Sequence, residues 1–328
     1  MTGIAIIGAG RIGQIHAANL HQHPLAEVVC VSDVFDAAAS RLAEACEASV
    51  ASVDELLDDA RVEAVVIASS TDSHAELIRR SAEAGKAIFC EKPLDLDVAA
   101  AEQSLSIAAK NDVLLCLGFN RRHDPSFDAI KAKIDGGQVG DVEVVSITSR
   151  DPAPPPVEYI GRSGGLFRDM MIHDFDMGRW LLGEEIVEVF AYGGALIDDA
   201  IGKAGDVDTA VAVLRTGNGR LCQITNSRRC SYGYDQRIEV FGAKGMVRAD
   251  NHTATSVEVA SKDGFTTDEA LPFFLERYRD AYRLQLDKFL RVVRGERVNI
   301  PLGIDGLQAL KIADAAQQSC DEGRPVRV

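Results

Sequence analysis

Over the first 118 residues, short continuous apolar runs alternate with stretches that repeat apolar residues at helical intervals. The runs are Ile4–Ile7, Val28–Val31, Ala64–Ala68, Ala87–Cys90 and Val113–Leu117; the helical stretches include Ala37–Cys46, Ala75–Ala84 and Val98–Ala109. Val53–Leu57 adds a shorter helix, after a brief strand around Ala48–Val50. Strands that are apolar throughout must be covered on both faces, and helices between successive strands provide that cover. The pattern predicts a doubly wound parallel sheet.

After Gly118 the rhythm changes. Phe127–Ile134 reads as a helix ending in Gly136-Gly137, and Val142–Thr148 as a longer strand. Pro152–Pro156 holds four prolines in five residues and must be an extended loop. Val187–Ala195, Asp208–Arg215, Leu221–Ser227 and Gln236–Phe241 follow as strands, the second and third joined by the hairpin signal Thr216-Gly217-Asn218-Gly219. Helices Tyr278–Val293 and Gly303–Ser319 close the chain. The expected fold class is α/β: a Rossmann domain over 1–119, then an α+β domain over 120–328 with an open, largely antiparallel sheet.

Composition narrows the class of partner. Hydrophobic residues make up 46% and charged residues 26% of 328, a globular balance that excludes disordered and collagen-like classes. The 50 acidic side chains outweigh 35 basic ones, for a net charge of −15, so nucleic acid and anionic membrane surfaces would be repelled. A small anionic ligand stays compatible, because a pocket can be locally positive. No apolar run approaches the roughly twenty residues of a membrane helix. The chain enters its first strand at Gly3–Ile7 without a signal-peptide pattern. Seven cysteines are scattered with no C-x-x-C pair, and Cys30, Cys90 and Cys116 lie in apolar runs. Together these lead us to expect a soluble, reduced, cytoplasmic protein.

Three segments carry chemistry. Gly8-Ala9-Gly10-Arg11-Ile12-Gly13 follows an apolar strand and opens a helix. In a dinucleotide site Gly8 permits the tight turn, Gly10 lets the backbone approach a pyrophosphate, and Gly13 allows close packing. Arg11 and Ile12 begin the helix whose free N–H groups face the phosphates. Asp33 lies twenty residues beyond Gly13, placed for the adenosine ribose hydroxyls. A carboxylate there repels a 2′-phosphate, and Val34-Phe35 offers no arginine to hold one, so NAD is favoured over NADP. The competing reading is a glycine-rich turn with an ordinary Asp cap.

Glu91-Lys92-Pro93 follows the strand Ala87–Cys90, where residues border the ligand crevice of such a sheet. Lys92 can orient a substrate hydroxyl near the nicotinamide; the bland alternative is a solvated loop lysine. The bond before Pro93 is a candidate for cis. In Gly164–Trp180, a helix running from about Asp169 would bring residues 169, 173, 176 and 180 to one face. Asp169 and His173 could then serve one cleft, with His173 as base for a hydroxyl proton and Asp169 orienting it. Two rivals are a purely structural pair and a metal site using Asp169, His173 and Asp174 or Asp176. Residues 173 and 174 diverge around a helix and no second His or Cys cluster completes a ligand set, so no metal is expected.

With these three segments in this order, the chain resembles the glucose-fructose oxidoreductase/inositol dehydrogenase (Gfo/Idh/MocA) family over essentially its whole length. Gly118-Phe119-Asn120-Arg121-Arg122, Ser149-Arg150-Asp151-Pro152, Gly164–Trp180 and Tyr232-Gly233-Tyr234 also carry the resemblance. It implies Lys92, Asp169 and His173 as catalytic, and Asn120, Arg121, Asp151 and Tyr234 as holders of a polyol. It implies that Ser70, Thr71 and His74, after the fourth strand, border the cofactor together with Glu91. It also implies a homotetramer built through the open sheet. The implied reaction is NAD-dependent oxidation of a ring hydroxyl of myo-inositol to the 2-keto inosose. Asn120 and His123 stand where relatives often carry Met and Tyr, which bears on substrate stereochemistry and not on the reaction class. Alternatives are a dehydrogenase of scyllo-inositol or an aldose, an NAD-assisted glycosidase, and a catalytically silent NAD-binding regulator. The joint presence of Lys92, Asp169 and His173 argues against the last.

Overall fold

The computed structural model describes residues 1–328. The chain forms two compact units, Met1–His123 with Asp280–Leu310, and Asp124–Arg279 with Lys311–Val328.

The first unit is built on six parallel strands: β1 (Thr2–Ile7), β2 (Ala26–Ser32), β3 (Ser49–Val50), β4 (Ala64–Ile67), β5 (Ala87–Cys90) and β6 (Leu115–Leu117). Their order is β3-β2-β1-β4-β5-β6, so the direction of winding reverses between β1 and β4. Ligands of such sheets bind outside the strand C-termini at that reversal. Every residue of β1 and β4 is buried, which is why these strands read as unbroken apolar runs. Helices Arg11–His21, Asp36–Ala45, His74–Glu83 and Val98–Lys110 form the crossovers. Their ends are set locally: Ser52 and Glu55 close a capping box on Val53–Asp58, and Asp97 accepts from Ala100 N at the start of Val98–Lys110. Cys30, Cys90 and Cys116 are buried in the strands as expected, and burial pushes the Cys116 thiol up to about 12.

The sequence suggests one division, at 119/120, but Asp280–Leu310 belongs to the first unit. The reason is the apolar face of helix Arg279–Val293. Leu286, Phe289 and Leu290 join the core formed by Ile4, Val28 and Phe89, with the Phe89 and Phe289 rings edge-on at 5.5 Å. Beyond that helix, Pro301 accepts from Leu117 N at 3.0 Å and extends the bonding of β6.

The second unit holds a seven-stranded sheet. Its strands are β7 (Val142–Arg150), β8 (Ile186–Gly194), β9 (Thr209–Thr216), β10 (Leu221–Ser227), β11 (Asp235–Gly242) and β12 (Gly245–Ala249), completed by the C-terminal strand after a separate ribbon. The ribbon is β13 (Glu258–Ser261) and β14 (Gly264–Thr267); the C-terminal strand is β15 (Val326–Arg327). The order is β12-β11-β7-β10-β9-β8-β15, antiparallel throughout except for the parallel pair β7–β10. The β9–β10 hairpin turns at the expected Thr216–Gly219, with Gly219 at φ +88°. Ala212 and Leu214 face inward while Val211 and Val213 face out, so alternation leaves one side of this sheet open. Helix Ile172–Leu182 lies on the covered side, close enough at Gly178 that an added Cβ would stand 3.0 Å from Cys222 Sγ.

Two expectations change here. Short helices Val157–Ser163 and Asp199–Lys203, and the strands β12 to β14, have no strong periodicity in the sequence and were not foreseen. The single helix expected from Asp169 is broken: Gly165–Asp169 is one piece and Ile172–Leu182 the next. The Leu166 carbonyl accepts from both Met170 N (3.0 Å) and Met171 N (2.9 Å), so the bonding ladder slips by one residue between Asp169 and His173. No helix is long and apolar enough to cross a membrane.

Candidate active site

In the first unit the expected cofactor residues gather at the strand C-termini on either side of the reversal. Gly8 leaves β1 at φ +107°, where a Cβ would collide with the Ala68 carbonyl group beyond β4. A Cβ on Gly13 would overlap the Gly8 carbonyl oxygen. At Gly10 nothing lies within 4 Å of an added Cβ. Two glycines are therefore filled by the protein and the middle one opens outward, which fits an approaching pyrophosphate at the start of helix Arg11–His21. Asp33 sits beside this loop: Oδ2 accepts from Ala9 N at 2.6 Å and Oδ1 from Phe35 N at 2.8 Å. Each oxygen retains a second lone pair for a ribose hydroxyl.

Beyond β4, Ser70 and Thr71 enter a short 3₁₀ turn that leads into the helix starting at His74. His74 is buried, with Nδ1 at 2.9 Å from the Pro93 carbonyl and Nε2 at 3.3 Å from the Ser69 carbonyl. Burial lowers its pKa, and the neutral ring, with one N–H, donates to the nearer Pro93 carbonyl and so braces the turn after β5. Glu91 and Lys92 follow β5, and the Lys92–Pro93 bond is cis. The Glu91 carboxylate meets Nε2 of fully buried His16 at 2.6 Å and accepts from Lys92 N at 3.3 Å. A Cβ on Gly118 would reach that carboxylate at 2.9 Å, so Gly118 leaves room for Glu91. Asn120 and Arg121 lie in a buried 3₁₀ turn after β6, whose next residue, Arg122, pairs with Asp305 at 3.0 Å. His16 was not foreseen; it sits in an amphipathic helix where a buried histidine looks like any other inward position.

In the second unit, register assembles the site. Ser149 of β7 pairs with Asn226 of β10 on one side and Gln236 of β11 on the other; the next row is Arg150, Ser227 and Asp235. Asp151 and Arg228 leave the sheet together, one residue beyond that row, and Tyr234 precedes it on the antiparallel neighbour. Asp151 N donates to the Ser227 carbonyl at 2.9 Å. The expected polyol residues Asp151 and Tyr234 thus come to one end of one sheet. Tyr234 is more deeply packed than a surface contact would be, its ring edge-on to Phe273 and Tyr278.

The row below seats the helix that carries His173. Fully buried Asp174 accepts from Ser149 Oγ at 2.6 Å and from Asn226 Nδ2 at 2.8 Å. This pins the first turn of Ile172–Leu182 to β7 and β10, so half-buried His173 has a defined position. Asp169 lies at the end of the preceding helical piece. Its Oδ1 accepts from Tyr159 Oη at 3.2 Å, and its Oδ2 lies 3.4 Å from both Nη atoms of Arg228. The Arg228 side chain is 2% exposed. Neither Tyr159 nor Arg228 is singled out by the sequence, since Arg228 follows a strand beside an equally basic Arg229.

Comparison with known proteins gives the family of the chain. Residues 2–119 match the model of an oxidoreductase family's NAD-binding Rossmann fold, and residues 131–328 match the same family's C-terminal α/β domain. An inositol 2-dehydrogenase of Rhizobium meliloti is 49% identical over 98% of each chain. A myo-inositol 2-dehydrogenase of Thermotoga maritima is 48% identical over 99% of this chain and 98% of its own. A solved structure of scyllo-inositol dehydrogenase from Lactobacillus casei, with NAD(H) and scyllo-inositol bound, superposes with a TM-score of 0.92 at 30% identity, covering 100% and 99% of the chains. Fold, glycine cradle and sequence relationship lead to one statement: the chain belongs to the glucose-fructose oxidoreductase/inositol dehydrogenase family of NAD-binding oxidoreductases.

Proposed function

We propose that the chain is an NAD-dependent dehydrogenase of a cyclic polyol, oxidising one ring hydroxyl of myo-inositol to the 2-keto inosose. The observation that carries this reading is near-half identity, along almost the whole of both chains, to relatives named inositol 2-dehydrogenase and myo-inositol 2-dehydrogenase. Gly8, Gly10, Arg11, Ile12 and Gly13 would hold the pyrophosphate of NAD and Asp33 its adenosine ribose. Ser70, Thr71, His74, Glu91 and Lys92 would border the rest. When bound, NAD supplies the hydride acceptor.

The protein's own groups manage the proton and the orientation of the ring. His173 takes the hydroxyl proton on an imidazole nitrogen, and the Asp169 carboxylate stabilises the imidazolium that results. The Lys92 ammonium positions the reacting oxygen. Asn120, Arg121, Asp151 and Tyr234 bond the remaining hydroxyls, since a buried hydroxyl left without a partner would weaken binding by about 1–3 kcal/mol. A neutral ring also explains how a chain of net charge −15 meets its substrate without repulsion.

The open side of the second unit's sheet exposes Tyr192, Val211, Val213, Leu221, Phe241 and Met246, and we place a second copy of the chain there, within a homotetramer. Seven free thiols, six of them buried, support a reducing cytoplasmic setting.

The test is steady-state reduction of NAD⁺ and NADP⁺ with a panel of inositols and hexoses. The expected result is the highest kcat/KM for myo-inositol with NAD⁺. Faster turnover of scyllo-inositol or an aldose would replace the substrate, and tight NAD binding with no turnover would point to a regulator.

A further inference from the structure

We infer that Arg228, with Tyr159, is a positioning residue of the reaction: it fixes the Asp169 carboxylate in the orientation that supports His173. The inference rests on the reading of Asp169 and His173 proposed above, and extends it to the two residues that hold Asp169.

The geometry sets both guanidinium Nη atoms of Arg228 3.4 Å from one oxygen, Oδ2, and the phenol of Tyr159 3.2 Å from the other. Both oxygens of Asp169 are therefore engaged, and the carboxylate cannot rotate without losing one partner or the other. Such anchoring has a reason in the backbone. The ladder slips between Leu166 and Met171, so Asp169 ends a five-residue helical piece rather than standing inside a continuous helix. A side chain at a frayed end needs tertiary contacts to hold its rotamer. Arg228 is itself rigid. It leaves β10 just past the parallel β7–β10 pair, and its backbone N–H donates to the Asp208 carbonyl at 2.8 Å.

Charge explains why an arginine is used. A nearly buried guanidinium requires a counter-charge, and Asp169 supplies it. The pairing ties the Asp169 carboxylate to a fixed cation on one side and leaves the Asp169 charge partly neutralised. Two neighbouring charged groups have partners of their own. Arg168 pairs with Asp314 at 2.6 Å, and Asp206 Oδ1 accepts from Leu166 N at 3.0 Å. Arg162, on the helix of Tyr159, adds positive charge that acts on the phenol from a distance. Burial, and then the Asp169 charge, push the Tyr159 phenol above its ordinary value, so it remains an O–H donor.

Arg228→Gln removes the cation and keeps a polar side chain. The unneutralised Asp169 charge then stabilises the His173 imidazolium more strongly. The acid limb of kcat/KM, set by protonation of His173, should move to higher pH by about half a unit or more. kcat should fall by about 10–100-fold with NAD⁺ affinity unchanged. Arg228→Lys should hold the limb in place and recover part of kcat. Tyr159→Phe should shift the limb the same way by less, which keeps the inference testable if Arg228→Gln fails to fold. In an Asp169→Asn background neither change should lower activity further, because both act through that carboxylate. Additive losses in that background, or an unmoved acid limb in both Arg228→Gln and Tyr159→Phe, would overturn the inference while leaving the Asp169–His173 reading intact. Wild-type turnover by Asp169→Asn would overturn both.

Discussion

The two units build their parts of the chemistry by opposite means. The first presents backbone: an open glycine at the start of a helix, amides beside Asp33, and turns at the ends of parallel strands. Its side chains act mostly as braces, His16 on Glu91 and His74 on the Pro93 carbonyl. The second presents side chains, each held by partners far along the chain: Asp169 by Arg228 across 59 residues, Asp174 by Asn226 across 52, and Ser149 by Gln236 across 87. A phosphate needs many N–H donors in a fixed curve, which a tight turn provides locally. Proton transfer from a ring hydroxyl needs a few groups set to within tenths of an ångström, which a sheet with anchored helices provides. The first kind of site is sensitive to backbone shape and the second to individual functional groups.

The largest test of that contrast is His173→Ala. It should lower kcat by about a thousandfold, within the range for loss of a general base, and leave NAD⁺ affinity nearly unchanged by fluorescence titration. Wild-type-like turnover would remove His173 from the mechanism. Gly13→Ala tests the backbone side. Its methyl group would overlap the Gly8 carbonyl oxygen, so NAD⁺ affinity should fall about a hundredfold and the melting temperature should drop. Gly10→Ala meets open space and has an ordinary φ of −69°, so it should weaken NAD⁺ binding about tenfold with the melting temperature unchanged. Equal effects of the two alanines on stability would contradict the division into filled and open glycines.

The same contrast explains what could be read in advance. β1, β2, β4 and β5 are apolar on both faces, and Gly8–Gly13 is contiguous, so the first unit's fold and cradle are written in neighbouring residues. The β9–β10 hairpin was equally plain in Thr216–Gly219. Arg228, Tyr159 and His16 were not legible, because their roles depend on which strands become neighbours. Nothing near Arg228 records that β10 runs parallel to β7. The break between Asp169 and His173 was hidden for a similar reason: the slip at Leu166 leaves every intervening residue in right-handed backbone, so helical spacing reads straight through it. The return of Asp280–Leu310 was legible as an amphipathic helix but not by its destination.

A third test concerns the stability of the first unit against acid. His123 is buried at the end of the first unit's first segment, and burial, helped by Lys288 and Arg122, lowers its pKa to about 3 from 6.5. Its folded pKa lies below the unfolded one, so its full contribution is present above pH 6.5 and is lost as pH falls from there toward 3. Between pH 6.5 and 5 this group alone should remove about 2 kcal/mol of unfolding free energy, at about 1.4 kcal/mol per pH unit. Urea titrations of wild type and His123→Gln at both pH values check this. A slope that survives the substitution would assign the acid sensitivity to other groups, His74 first among them.

The smallest effect expected is on cofactor choice, and it shows whether a backbone site can also select by charge. Asp33 fixes the glycine loop through Ala9 N and Phe35 N, and its proposed second duty is to hold the adenosine ribose. Asp33→Asn keeps the shape but removes the charge, and its amide nitrogen can no longer accept one of the two bonds. Asp33→Ser removes the charge and shortens the reach. If repulsion of a 2′-phosphate dominates, both variants should lower the ratio of kcat/KM for NAD⁺ over NADP⁺ by about tenfold, or about 1.4 kcal/mol. If loop geometry dominates, the two cofactors should weaken together and the ratio should stay where it was. A constant ratio in both variants would leave Asp33 as a brace like His16, and the first unit would then recognise its cofactor by backbone shape alone.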